Sequence, residues 1–194
     1  MADIKGVLLN AWMNFLKDQY GAAAVETAKH DLPEADRFML ARPFLDSSWY
    51  PLAILETIGK LTQPLGKEAG ADLSGQIGRF MAQYAFTGVY RPLLAKTPLK
   101  QVKKFSETGE FFFRETRRLE AEATGEGSSV ARYFYESGVQ PRRGMCPSLI
   151  GFWSRTLELA GALDVKGEHT TCVLNGAKCC EFRFEWSAEP EPVR

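Results

Sequence analysis

The sequence predicts an α+β fold. An N-terminal helical bundle is followed by two β-hairpins flanking a helix, and the hairpins form one antiparallel sheet packed on helices. Three observations carry this expectation. Apolar residues recur at helical spacing through the first half of the chain. In the second half, Leu119 to Ala123 and Val130 to Tyr135 alternate with polar residues, and Thr170 to Leu174 and Cys179 to Trp186 read as a second strand pair. Turn residues divide each pair: Gly125-Glu-Gly-Ser128 in the first and Asn175-Gly176 in the second. An Asn-Gly pair between apolar runs is the strongest short hairpin signal.

The elements follow in order. Ile4, Val7, Leu8, Ala11, Trp12, Phe15 and Leu16 give the buried stripe of a helix over 4–18. Gly21 sits near its end, and a short helix follows from Ala22 to Ala28, broken by Asp31-Leu-Pro33. An irregular connection runs on to Asp46-Ser-Ser48. Ser47 or Ser48 caps a helix through Ile54, Leu55, Ile58 and Leu61, which Pro64 and Gly66 end or kink. Asp72 or Ser74 starts a longer helix through Ile77, Met81, Ala85 and Tyr90. Its glycines, Gly75, Gly78 and Gly88, cost helix propensity and mark places where another backbone approaches. Thr97-Pro98 opens a helix through Val102, Phe105, Phe112 and Phe113. After the first hairpin and a loop over 138–144, Leu149, Ile150, Trp153, Leu157 and Ala160 form a helix closed by Gly161. One domain spans residues 1–188, and the Pro- and Glu-rich tail 189–194 is expected to fray.

Composition narrows the function. A chain of 194 residues, 45% hydrophobic and 25% charged, has enough apolar surface for one substantial core and is not a disordered chain. Lys+Arg and Asp+Glu both count 24, so the net charge is zero and the footprint of a dedicated nucleic-acid binder is missing. The basic stretches at Lys100–Lys104 and Arg142-Arg143 read as solvated faces. No apolar run approaches the roughly 18–20 residues of a membrane span. The N-terminus lacks the apolar centre and cleavage site of a signal peptide. A cytoplasmic location is therefore expected, where four cysteines point to metal or packing before disulfides.

Those cysteines gather late in the chain. Cys146 opens the last helix, Cys172 lies in the first strand of the final hairpin, and Cys179-Cys180 begins the second, with Glu168 and His169 just ahead of Cys172. The turn brings Cys172 close to Cys179 or Cys180. Thiolates and imidazole suit tetrahedral zinc, and four such ligands would close a structural site. A two-residue turn sets Cys179 opposite Cys172; a three-residue turn with a bulge shifts the pairing to Cys180. Phe182, Phe184 and Trp186 share parity with Cys180 and mark the core face, so Cys180 is preferred. His169 and Cys172 are an odd number apart, which a regular strand would put on opposite faces. His169 therefore serves only from before the strand or at a bulge, and Glu168 is its substitute. The plainer alternative makes the cysteines small buried hydrophobes and His169 a surface residue, since no CxxC knuckle is present.

Gly144-Met-Cys146, Gly151 and the run Glu168-His-Thr-Thr-Cys172 through Gly176-Ala-Lys-Cys-Cys180-Glu-Phe182 resemble the 4-vinyl reductase domain family. The resemblance covers most of the chain. It implies a fold shared with heme–nitric oxide binding domains and with small subunits of the transport-protein-particle trafficking complex. Phenol-sensing members of that family carry zinc on a helix-start cysteine, an acidic residue and two hairpin cysteines. By spacing these positions fall on Cys146, His169, Cys172 and Cys180, with His169 replacing the acid unless Glu168 takes its place. Ser48-Trp-Tyr-Pro51 and Phe86-Thr-Gly-Val-Tyr-Arg91 are similar to uncharacterised bacterial relatives. Heme domains of this fold use an axial helix histidine and a Tyr-x-Ser-x-Arg motif. This chain has only His30 and His169 and no such motif, so heme is not expected.

The expected function is binding or sensing of an apolar small molecule, with a structural zinc. Trp12, Phe15, Trp49, Tyr50, Phe80, Tyr84, Phe112, Phe134 and Trp153 are candidates for the pocket wall, although an aromatic on a helix face is more often ordinary core. The alternative is a dimeric scaffold like the trafficking subunits, without a small ligand; a homodimer is the expected assembly. No enzyme is expected, because no Gly-rich phosphate loop, G-x-S-x-G elbow or H-E-x-x-H motif is present.

Overall fold

The computed structural model describes residues 2–66, 72–139, 141–142 and 144–188. The tail 189–194 and Arg143, both interpreted above, lie outside them. The two predicted hairpins do share one antiparallel sheet. Its strands are β4 (Arg117–Gly125), β5 (Ser128–Tyr135), β6 (Ala162–Thr171) and β7 (Cys180–Ala188), in the order β4-β5-β7-β6. The hairpins meet through β5 and β7, with Tyr133 opposite Cys180 and Ala131 opposite Phe182.

The N-terminal stripe does not begin as a helix. Asp3–Lys5 is a strand, β1, and the helix α1 covers Gly6–Tyr20. β1 is held on both sides, by β2 (Trp49–Pro51) and β3 (Phe113–Arg114), in a second sheet of order β2-β1-β3. Strands of two or three residues are too short to print an alternation, so this sheet has no sequence signal.

The helices α2 (Ala22–His30), α4 (Ile54–Leu65) and α5 (Leu73–Thr87) fall close to expectation, although Tyr90 lies beyond the end of α5 and Pro64 sits in the last turn of α4. The connection expected to be irregular contains α3 (Glu34–Met39). Tertiary bonds fix it: the Asp36 carboxylate accepts from Thr57 Oγ1 at 2.7 Å and from Lys60 Nζ at 2.8 Å, both on α4. The helix opened by Thr97 divides at Lys104 into α6 (Pro98–Lys103) and α7 (Phe105–Phe112). The helix opens at Thr97-Pro98 as expected, and Thr97 caps it, its hydroxyl accepting from Lys100 N at 3.4 Å.

β6 starts at Ala162, well before the expected Thr170. It is an edge strand with most residues exposed, so burial never imposed an apolar alternation on it. The turn also differs from both expected lengths. A 3-10 turn at Val173–Asn175 and a left-handed Gly176 (φ 86°) bridge β6 to β7. Only a residue without a Cβ adopts that φ freely.

α8 (Met145–Leu159) runs between α5 and the sheet. It approaches α5 so closely that a Cβ on Gly151 would overlap the Gly75 carbonyl, and one on Gly78 the Ser148 carbonyl. On its other side Trp153 stacks on Phe105, with ring centroids 4.0 Å apart, and its indole N–H donates to Tyr133 Oη. Phe182 and Phe184 are fully buried, and each contributes about 1.5–3 kcal/mol of apolar burial. Among the described residues no helix is long and apolar enough to cross a membrane.

Candidate metal centre and ligand cavity

The β6–β7 hairpin and the first turn of α8 converge on one point. Cys146 is the second residue of α8 and is 3% exposed; Cys180 opens β7 and is fully buried. On β6, His169 lies opposite Phe182 while Thr171 lies opposite Glu181, so the strand carries one extra residue between them. That bulge removes the parity objection. It puts His169 and Cys172, three apart in sequence, on the same face.

The ligand atoms of Cys146, His169, Cys172 and Cys180 all lie within 4.8 Å of one another. The Cys180 sulfur is 3.9 Å from that of Cys146 and 3.9 Å from that of Cys172. A tetrahedral zinc with bonds of about 2.3 Å to sulfur spaces its thiolates about 3.8 Å apart, whereas a disulfide closes to about 2.05 Å. The spacing is therefore that of a coordination edge, and all four cysteines are free thiols. The His169 Nε2 is buried without a hydrogen-bond partner, and the ring is held flat against Phe182 at 4.7 Å. A buried orphan nitrogen costs about 1–3 kcal/mol, which coordination would recover. The Val173 N–H donates to the Cys180 sulfur at 3.5 Å, a contact that favours thiolate. Two residues stay outside the cluster. Glu168 is exposed and pairs across the ladder with Arg183, and Cys179 is not among the converging ligands.

Burial pushes the Cys146 thiol far up, helped by the neighbouring Cys180 and Cys172, and pushes Cys180 up as well. Burial lowers His169, which keeps its imidazole neutral and able to ligate. With burial raising both, the Cys146 and Cys180 thiols hold their protons in the absence of a bound cation.

A cavity of about 450 Å³ opens beside this centre. Ile4, Leu55, Ile77, Met81 and Leu149 wall it, Trp12 and Phe113 add aromatic faces, and Arg117 and Arg142 contribute the charged groups. Met145 and Ser148 also line it, so the first turn of α8 faces the metal ligands through Cys146 and the cavity through its neighbours.

Of the nine expected pocket residues, only Trp12 lines this cavity. Phe15 packs edge-on to Phe80 between α1 and α5, and Phe80 stacks on Tyr84. Phe112 and Trp153 belong to the aromatic core around Phe86 and Phe105. Tyr50 packs edge-on to Phe44, Trp49 lies under Lys5 and Arg114, and Phe134 lies under Arg118. The apolar wall residues that sequence reasoning missed include Ile4, Leu55, Leu73, Ile77 and Leu149, and an aliphatic wall has the same sequence signature as a core. Arg117, which follows the Phe111–Phe113 run after Arg114-Glu115-Thr116, was the one readable signal.

No family model matches the chain, and no curated protein matches it. Solved structures do. An H-NOX protein from S. oneidensis in the Fe(II) ligation state superposes with a TM-score of 0.73 at 16% identity, covering 98% of this chain and 100% of that one. An oxygen-binding H-NOX domain related to soluble guanylate cyclases gives 0.67 at 14% identity, with 98% and 100% covered. A structure described as modulating heme redox potential through porphyrin distortion gives 0.68 at 16%, with 94% and 99% covered. The expected 4-vinyl reductase family finds no support among these findings, while the fold that the resemblance implied does. The expectation against heme is corrected by the same likeness: the neighbours are described by their Fe(II) state and their heme. A missing sequence motif was too narrow a ground for it, because a fold persists at identities where motifs do not. Along nearly its whole length, this chain has the fold of the H-NOX proteins.

Proposed function

We propose that this chain is a small-molecule-binding sensor domain whose last hairpin is pinned to α8 by a structural zinc on Cys146, His169, Cys172 and Cys180. The convergence of those four ligand atoms within 4.8 Å carries the reading. Zinc suits three thiolates and one imidazole, and four protein ligands leave no open position for chemistry. Its binding free energy adds to folding free energy, because the unfolded chain holds no such site. The pin has a consequence for the cavity. Fixing Cys146 fixes the turn that presents Met145, Ser148 and Leu149 to a ligand.

The cavity supports binding rather than reaction. Among the described residues its lining carries no His, Cys, Asp, Glu, Lys or Tyr, so none of them sets a general base beside a nucleophile there. Its volume and apolar walls fall within the range of ligand pockets. Heme is one candidate occupant. The apolar walls suit the macrocycle, and Arg117 and Arg142 suit its carboxylates, while among the described residues Met81 and Met145 are the only side chains in the lining of a type that ligates heme iron. A bound heme would supply an iron able to take a diatomic gas. The trafficking-scaffold alternative has no observation in its favour.

The test is native mass spectrometry with metal analysis and an absorption spectrum on gently purified protein. The expected result is about one zinc per chain and a co-purifying small molecule. A Soret band identifies that molecule as heme. Protein that is fully folded and free of metal overturns the zinc centre.

A further inference from the structure

Arg117 is placed unusually for a charged residue. It lines the apolar cavity from the start of β4, and its guanidinium is stacked between two rings, 4.0 Å from the centroid of Phe113 and 4.9 Å from that of Tyr133. Stacking satisfies the faces of a guanidinium but leaves its N–H donors, which lie in the plane, unused. The Nη1 of Arg117 is buried and has no hydrogen-bond partner. Among the described residues, Arg117 makes no ion pair within 4.0 Å, although Glu110, Glu115 and Glu136 line a surface groove on its far side. Arg114, Arg118 and Arg142 differ in this respect: each is paired with a carboxylate, Asp3, Glu120 and Glu56 respectively. A second donor in the cavity wall is also unmet, the buried indole Nε1 of Trp12. Two buried donors without acceptors, on residues that share one cavity, describe a missing acceptor.

We propose that the cavity takes an amphipathic monocarboxylic acid. Its apolar body lies along Leu55, Ile77, Met81 and Leu149, and its carboxylate accepts hydrogen bonds from Arg117 and Trp12. This rests on the reading of the cavity as the ligand site and adds the chemical class of the ligand. An anion there satisfies both orphan donors and neutralises the Arg117 guanidinium. A neutral apolar molecule would leave all three unmet, and desolvated charge-assisted hydrogen bonds are among the strongest available to a binding site.

Titration calorimetry of the zinc-loaded full chain with decanoic acid and with 1-decanol at pH 7.5 tests this. The two probes share a chain and differ in the acid group. Decanoate is expected to bind at least about tenfold more tightly than decanol, one charge-assisted contact being of that order. Arg117→Met, which keeps an unbranched side chain between Phe113 and Tyr133, is expected to remove that preference while decanol binding holds. Equal affinity of the two probes for the native chain overturns the acid proposal and leaves the cavity reading standing. Preference for decanoate that survives Arg117→Met in a folded variant overturns the role of Arg117. If neither probe binds, the cavity reading itself fails. The probe comparison on the native chain decides the ligand class even where the variant does not fold.

Discussion

Replacing Cys180 with serine separates the metal centre from mere burial of thiols. Cys180 is the hub of the cluster, with its sulfur 3.9 Å from both of the other cluster sulfurs and receiving the Val173 N–H. Serine preserves the size and removes the thiolate. A structural zinc present at about a thousand times its dissociation constant stabilises the folded chain by about 4.1 kcal/mol. For a domain of this length each kcal/mol moves the melting temperature by about 2–4 °C, so zinc-loaded and chelator-treated native protein should differ by about 8–16 °C. Differential scanning calorimetry with and without chelator, beside metal analysis, reads both quantities. In Cys180→Ser the chelator-dependent difference should vanish and zinc should fall well below one per chain. In Cys179→Ser both should remain, since that residue stands outside the converging set. Retention of one zinc and of the full chelator shift by Cys180→Ser would falsify the assigned ligand set.

Three further outcomes are expected. Zinc uptake by the metal-free chain at pH 7 should release at least about two protons, because burial holds the Cys146 and Cys180 thiols protonated and ligation needs thiolates; calorimetry in buffers of different ionisation enthalpy counts them, and retention of zinc should weaken as pH falls. Gly78→Ala should destabilise the chain by about 1–3 kcal/mol through overpacking, seen as a lowered melting temperature, because its methyl group would strike the Ser148 carbonyl across the α5–α8 contact. Hydrogen bonds from Lys60 and then Thr57 hold the Asp36 carboxyl below the ordinary carboxylate range. A depressed folded pKa gives stability that is present above the unfolded value of about 4 and lost as pH falls through the folded one. Native protein should therefore exceed Asp36→Asn in stability at pH 7, with the gap closing in acid; a gap independent of pH in denaturant titrations refutes the ionic contribution.

What the sequence determined by itself is what local physics determines. The 3.6-residue stripe through Ile54, Ile58 and Leu61 marks α4 because one face must be buried whatever it packs against. Asn175-Gly176 marks a reversal because the left-handed conformation found at Gly176 suits glycine. The parity of Phe182, Phe184 and Trp186 put Cys180 inward before any partner was known, since a strand with one buried face cannot slip by one residue. The sheet order, the small sheet around β1 and the edge strand β6 were decided elsewhere. Their hydrogen bonds join residues distant in sequence, and they carry little apolar pattern of their own. The same holds for the choice of His169 over Glu168 within the cluster. A one-residue bulge between His169 and Thr171 turns the imidazole to the side of Cys172, and nothing local to either residue foretells it. The cavity was the least legible feature. Leu55, Ile77 and Leu149 have the pattern of core residues, and only the distance between the elements that carry them decides whether they meet each other or leave room for a ligand.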